Sequence, residues 1–304
     1  MDQFDPNMNR PGTEPPAAHT TLWPNSTAPN GVAGKNQNQR RFPMLLKGKV
    51  AVVTGSTSGI GLGIATAFAQ NGADIVLNGF GDAGQIEALR ADLAAKYGVK
   101  ILYDGADLSR GEAVRKMVGD AAATLGRIDI LVNNAGIQHT ARIEDFPVEK
   151  WDAIIGLNLS AVFHGTAAAL PFMKKQGWGR VINIASVHGL VGSVNKSAYV
   201  AAKHGVVCLT KVTALETAGT GVTANAICPG WVRTQLVEKQ IDTLATKDGI
   251  STDAAARELL SEKQPSLQFV TPEQLGGTAV FLASDAAAQV TGMSIPVDGG
   301  WTAR

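Results

Sequence analysis

The 304-residue chain has only two cysteines, Cys208 and Cys228, and a formal net charge of +1. Two thiols in apolar runs have neither the number nor the spacing of a zinc site or a disulfide framework. No metal is therefore expected, and a reducing, cytoplasmic setting is. Near-balanced charge gives no bulk attraction to nucleic acid or to an anionic membrane. Apolar windows are broken by charge or glycine short of the roughly 20 residues that a membrane span requires, so no span is expected. Tyrosine is almost as scarce as cysteine, with three residues in the chain.

Residues 1–43 lack periodic apolar positions altogether. They hold seven of the thirteen prolines and are rich in Asn, Gln and Thr. Such a stretch buries too little apolar surface to offset its ordering entropy, which predicts a disordered N-terminal extension. It has no apolar core of a secretory signal and no Arg-rich, acid-poor transit pattern.

From Met44 onward the pattern is regular. KVAVVT (49–54), ADIVLNG (73–79), KILYDG (100–105), IDILVNN (128–134), GRVINIAS (179–186), GVTANAIC (221–228) and SIPVDG (294–299) are short, rich in Val and Ile, and bounded by turn residues. Helical patterns separate them, several ending at a glycine. Strands alternating with helices imply right-handed crossovers and a parallel sheet covered on both faces. The expectation is one doubly wound α/β domain over 44–304.

TGSTSGIG (54–61) follows the first strand and opens the first helix. There, glycines let the backbone turn sharply and approach a pyrophosphate, and the helix N-terminus supplies N–H groups. The spacing Gly55, Gly59, Gly61 departs from the common G-x-G-x-x-G pattern. An acidic residue for the adenosine ribose is expected at the end of the second strand, where Gly79 and Phe80 stand instead. Neither segment offers an Arg or Lys for a 2′-phosphate, which favours NAD over NADP.

Tyr199 and Lys203 are four apart in SAYVAAKHG and share one face of a helix. A lysine ammonium within about 4–6 Å can lower a tyrosine pKa by roughly 1–3 units, towards general acid–base work near neutral pH. A chance pair is the plain alternative. Ser186 ends the strand GRVINIAS, on the carboxyl edge where open α/β sheets bind ligands. A turn serine would look the same.

Taken together, TGSTSGIG, NNAG (133–136), Asn158 in LNLS, Ser186, the Tyr199–Lys203 pair and PGWVRT (229–234) resemble the short-chain dehydrogenase/reductase family over essentially all of 44–304. ASVHGLV, NKSAYVAAKHG and VDGGWTAR are similar to its bacterial D-3-hydroxybutyrate dehydrogenases. The resemblance implies a Rossmann-type sheet of seven parallel strands, a homotetramer, and Tyr199 as general base for alcohol oxidation. Ser186 would bind the reacting oxygen, Lys203 would act on the phenol and the nicotinamide ribose, and Asn158 would hold a water that relays the proton. For the cofactor it implies Gly55, Thr57, Ser58, Gly59, Ile60 and Gly61 at the phosphates, with Phe80, Asp107 and Leu108 towards the adenosine. Asn134, Pro229, Gly230, Val232 and Thr234 would line the ribose and carboxamide.

The same resemblance places carboxylate-binding groups at His188, Lys196, Gln138 and Gln240, and Trp231 over a short methyl-terminated chain. A solvated loop lysine and a hydrogen-bonded histidine are the plain readings of Lys196 and His188. The charged helical stretch 235–270 is expected to be a substrate lid, or else a solvated surface hairpin. The activity implied is NAD-dependent interconversion of a short 3-hydroxy acid, D-3-hydroxybutyrate, with acetoacetate. The alternative is NADPH-dependent reduction of a 3-oxoacyl thioester.

Overall fold

The structure is a computed structural model that describes residues 44–303; the expected extension over 1–43 lies outside the described residues. All seven expected strands form: β1 (Val50–Val53), β2 (Asp74–Asn78), β3 (Ile101–Asp104), β4 (Ile130–Asn133), β5 (Gly179–Ile184), β6 (Val222–Pro229) and β7 (Ser294–Val297). They join in one parallel sheet of order β3-β2-β1-β4-β5-β6-β7. Every residue of β1, β4, β5 and β6 is buried, as the continuous Val/Ile runs require of a sheet covered on both faces.

One face is packed by α1 (Gly59–Gln70) and α9 (Pro272–Ala283), through Ile64, Phe68, Leu275 and Leu282. The other is packed by α3 (Gly111–Leu125) and α5 (Ala161–Gln176), through Val114, Met117, Ala169 and Met173. Between them in sequence lie α2 (Ala83–Tyr97), α4 (Val148–Ile155) and α6 (Ser197–Glu216). Glycines in the left-handed conformation end α2, α3 and α5, at Gly98, Gly126 and Gly177.

One premise of the sequence reading is corrected here: an apolar window of span length does occur. The helix Val148–Gln176 is long and apolar enough, by length and composition, to cross a membrane. Glycine does not interrupt it, because a helix tolerates glycine at a cost of only about 1 kcal/mol. Gly165 instead lets it close on β4: a Cβ there would stand 2.9 Å from Asn133 Oδ1. In this fold Ala161, Val162, Thr166, Ala169 and Met173 of that helix are buried. A π-turn at Gly156–Ser160 joins α4 to α5 and turns Asn158 fully inward.

The strand order reverses between β1 and β4. The chain leaving β1 and the chain leaving β4 therefore part to opposite faces, and a crevice opens at their carboxyl ends.

Candidate active site

A cavity of about 660 Å³ occupies that crevice. Gly55, Thr57, Ser58, Gly59 and Ile60 line one end, with Phe80, Asp107 and Leu108; Ser186, His188, Tyr199 and Lys203 line the other. Asn134, Pro229, Gly230, Val232 and Thr234 lie on its wall, and so do Gln138, Lys196, Trp231 and Gln240. Of the residues expected from sequence, Gly61 and Asn158 are not on the wall.

The glycine turn is built for close approach. Gly55 has φ 60, and a Cβ there would stand 2.9 Å from the Ala135 Cα. Gly61 faces the same turn from inside: a Cβ would meet the Gly55 carbonyl oxygen at 2.2 Å. It thus seats α1 under the turn. Gly59, at φ 56, opens on the cavity, where a Cβ would stand in the gap 3.7 Å from the Thr234 methyl. No side chain caps the N-terminus of α1. These features suit a pyrophosphate, for which a helix N-terminus supplies donors and partial positive charge.

Asn134 holds the turn in place, its Nδ2 donating to the carbonyls of Thr54 and Gly55 at 2.9 Å each. Asn78, which sequence reasoning did not single out, ties the neighbouring strand ends together. Its Oδ1 accepts from the Gly55 N–H at 3.2 Å and its Nδ2 donates to the Asp104 and Ala106 carbonyls. Gly79 and Phe80 follow, with Phe80 71% exposed. The charged residues on the wall are Asp107, Lys196, Lys203 and Lys239; Lys196 lies against Trp231, and Lys203 against Tyr199.

At the reacting end, α6 presents Tyr199 and Lys203 one turn apart. Lys203 is buried, and its Nζ donates to the Ile184 carbonyl at 2.7 Å and lies 5.6 Å from the Tyr199 ring centre. Burial lowers the ammonium to about 8. Burial raises the Tyr199 phenol above its ordinary value, opposed by a hydrogen bond from Ser186. The Lys203 ammonium is engaged by the end of β5 and stands inside the range of about 4–6 Å at which an ammonium acts on a phenol.

Ser186 starts a short 3-10 turn, Val187–Gly189, and its Oγ accepts from the His188 N–H at 3.1 Å. This brings His188 Nδ1 to 3.5 Å from the same oxygen. His188 is lowered to about 4, by burial and then by the charges of Lys196, Lys263 and His204, so it is neutral at pH 7. Its Nε2 is buried with no hydrogen-bond partner within the protein. A buried nitrogen of this kind is costly unless a ligand satisfies it.

Aromatic rings close the far wall. His188 meets Tyr199 and Trp301 edge-on, at ring-centre distances of 6.0 and 5.4 Å, and Trp231 lies 6.0 Å from Trp301. Lys196 Nζ sits 5.4 Å from the Trp231 ring centre. Burial lowers the Lys196 ammonium, and the Lys263 charge adds to that. Trp301 was missed by sequence reasoning; the only signal was a large aromatic directly after Gly299–Gly300 near the chain end.

The stretch 235–270 forms the helical hairpin α7 (Gln235–Asp248) and α8 (Thr252–Lys263), turned by Gly249 at φ 65. It has a small core of its own, Val237, Ile241, Ala245 and Ala255, against which Trp231 packs. Gln240 on α7 reaches the cavity wall.

Asn158 supports the site from behind. Its Oδ1 accepts from the Ile137 N–H and its Nδ2 donates to the Ile137 carbonyl, both at 2.9 Å. A second buried chain, also not foreseen, runs from Asn133 Nδ2 to Asn183 Oδ1 at 2.8 Å and from Asn183 Nδ2 to Thr210 Oγ1 at 2.9 Å. It locks β4, β5 and α6 in register.

Comparison with known proteins places this geometry among oxidoreductases. The family model described as enoyl-(acyl carrier protein) reductase matches residues 55–302. The chain is 61% identical over 261 residues to a D-beta-hydroxybutyrate dehydrogenase of Cupriavidus necator, covering 86% of this chain and 100% of the relative. It is 52% identical over 256 residues to one of Rhizobium meliloti, covering 84% and 99%. Among solved structures it is similar to levodione reductase, with TM-score 0.78 and 34% identity over 85% of this chain and 99% of that one.

Proposed function

The chain belongs to the short-chain dehydrogenase/reductase family, and on that premise we propose that it interconverts D-3-hydroxybutyrate and acetoacetate with NAD. One observation carries the choice of substrate: the cavity that holds Ser186 and Tyr199 has the ammonium of Lys196 on its wall, against the Trp231 ring. A substrate with a carboxylate two carbons from its reacting hydroxyl spans such a pair of sites. A thioester has no charge to offer there.

A nicotinamide dinucleotide, when bound, supplies the hydride acceptor. Ser186 Oγ holds the substrate oxygen, and Tyr199 takes its proton in oxidation or returns it in reduction. Lys203 fixes the region between the end of β5 and α6. Lys196 pairs with the carboxylate, Gln138 and Gln240 donate amide N–H groups, and neutral His188 donates from whichever ring nitrogen carries its proton. Trp231 covers the apolar end. The homotetramer expected from the family belongs to this reading.

Charge-assisted bonds are worth roughly 1.5–3 kcal/mol in a closed site. Lys196→Ala should therefore lower kcat/KM for D-3-hydroxybutyrate on the order of 10–150-fold. It should cost much less with an uncharged secondary alcohol of similar size. Equal loss on both substrates would make Lys196 structural and remove the basis for a carboxylate substrate.

A further inference from the structure

We propose that Asn195 is a positioning residue, whose left-handed backbone sets Lys196 and ties it to the loop that carries Gln138. The inference rests on the reading of Lys196 and Gln138 as substrate ligands.

Asn195 has φ 62, and among the described residues Leu267 is the only other non-glycine residue with positive φ. Left-handed backbone is uncommon outside glycine, and asparagine is among the side chains that tolerate it best. The Asn195 side chain is exposed, so what the residue contributes is its backbone. Its carbonyl accepts from the Ala141 N–H at 3.0 Å, and Ala141 forms an isolated parallel bridge with Lys196. Lys196 then caps α6, its own carbonyl accepting from the Val200 N–H at 2.9 Å. One residue thus turns the chain from the 190s loop into the helix that carries Tyr199.

The partner loop is held at two points. Asn158 grips both main-chain groups of Ile137, and Asn195 grips Ala141. Gln138 lies on the arch between these anchors. If residue 195 moved to extended backbone, its carbonyl would turn away from Ala141. The arch would lose one anchor, and Lys196 would lose its direction at the same moment. Gln138 and Lys196 are therefore set as a pair.

The test compares Asn195→Gly, which keeps access to the left-handed region, with Asn195→Val, whose branched side chain refuses it. Both enter the full-length enzyme and the Lys196→Ala background. The readouts are kcat and KM for D-3-hydroxybutyrate, Ki for butyrate (which has the carboxylate but not the hydroxyl), and NADH affinity. Asn195→Gly should stay within about twofold of the parent. Asn195→Val should raise KM and Ki roughly 5–30-fold, the ratio that a left-handed penalty implies for one residue, with kcat falling less and NADH affinity unchanged. On the Lys196→Ala background it should add clearly less than in the parent, only the share that runs through Gln138, because coupled groups are not additive. If Asn195→Val fails to fold, Asn195→Ala takes its place with a smaller effect in the same direction. The inference is overturned if Gly and Val lose equally, if neither loses, or if Val has its full effect without Lys196. If Lys196→Ala itself leaves KM and Ki unchanged, the carboxylate reading fails, and the inference with it.

Discussion

Lys203 donates to the Ile184 carbonyl at 2.7 Å, which fixes the lysine to the end of the strand that leads into Ser186. Ser186, which holds the substrate oxygen in the proposed reaction, and Tyr199, its proton carrier, are thereby joined through a buried cation that belongs to α6 and bonds to β5. Rigid elements position the chemistry more precisely than loops could.

Tyr199→Phe removes the phenolic proton carrier and little else. Turnover should fall by about 10²–10⁴-fold, the usual contribution of a general acid–base group, with NADH affinity nearly intact. Stopped assays and fluorescence titration check both. A variant that keeps more than about a tenth of the parent rate contradicts the role of Tyr199.

His188 makes stability depend on pH. Its folded pKa, about 4, lies below the ordinary 6.5, so between those values the unfolded chain binds more protons than the folded one. Stability should then rise with pH across that window and be lost as pH falls through it, by up to about 3 kcal/mol at 1.36 kcal/mol per unit. Denaturant melts at pH 4.5 and 7 for the parent and for His188→Gln should show a flatter dependence in the variant. The same slope in both would mean that the histidine is not held neutral by its surroundings.

The strand ends were legible in the sequence because a parallel sheet buried on both faces leaves unbroken Val/Ile runs. Tyr199, Lys203 and Ser186 were legible through motif spacing and family resemblance. What sequence could not give was side-chain direction. Lys203 turns to a backbone carbonyl, Gly61 packs under a turn, and Asn158 grips Ile137, all decided by tertiary contacts. Trp301 reaches the site from near the chain end, a juxtaposition that no local pattern encodes. Glycine does not break every apolar window either: in the 148–176 helix Gly165 serves close packing against β4.

Cofactor choice follows from where the cavity's cations lie. Lys196 lies against Trp231, and Lys203 against Tyr199 and the Ile184 carbonyl. Neither the glycine turn at 54–61 nor Gly79–Phe80 carries a cation for a 2′-phosphate, and Asp107 lines the cavity with them. We expect kcat/KM with NAD to exceed that with NADP by at least about tenfold, and the preference to narrow in Asp107→Asn. Comparable efficiency with the two cofactors would mean that a cation beyond the cavity wall reaches the phosphate.

The most direct measurement is NADH formation by the purified full-length chain with D-3-hydroxybutyrate, L-3-hydroxybutyrate and D-3-hydroxybutyryl-CoA side by side. A site with one carboxylate clamp and one proton carrier fixes which face of C3 is presented. The D-acid should therefore be oxidised with kcat/KM at least about a hundredfold above the L-acid and the thioester. Turnover of the thioester equal to or faster than that of the free D-acid would contradict the account, because the Lys196 charge would then have no part in choosing the substrate.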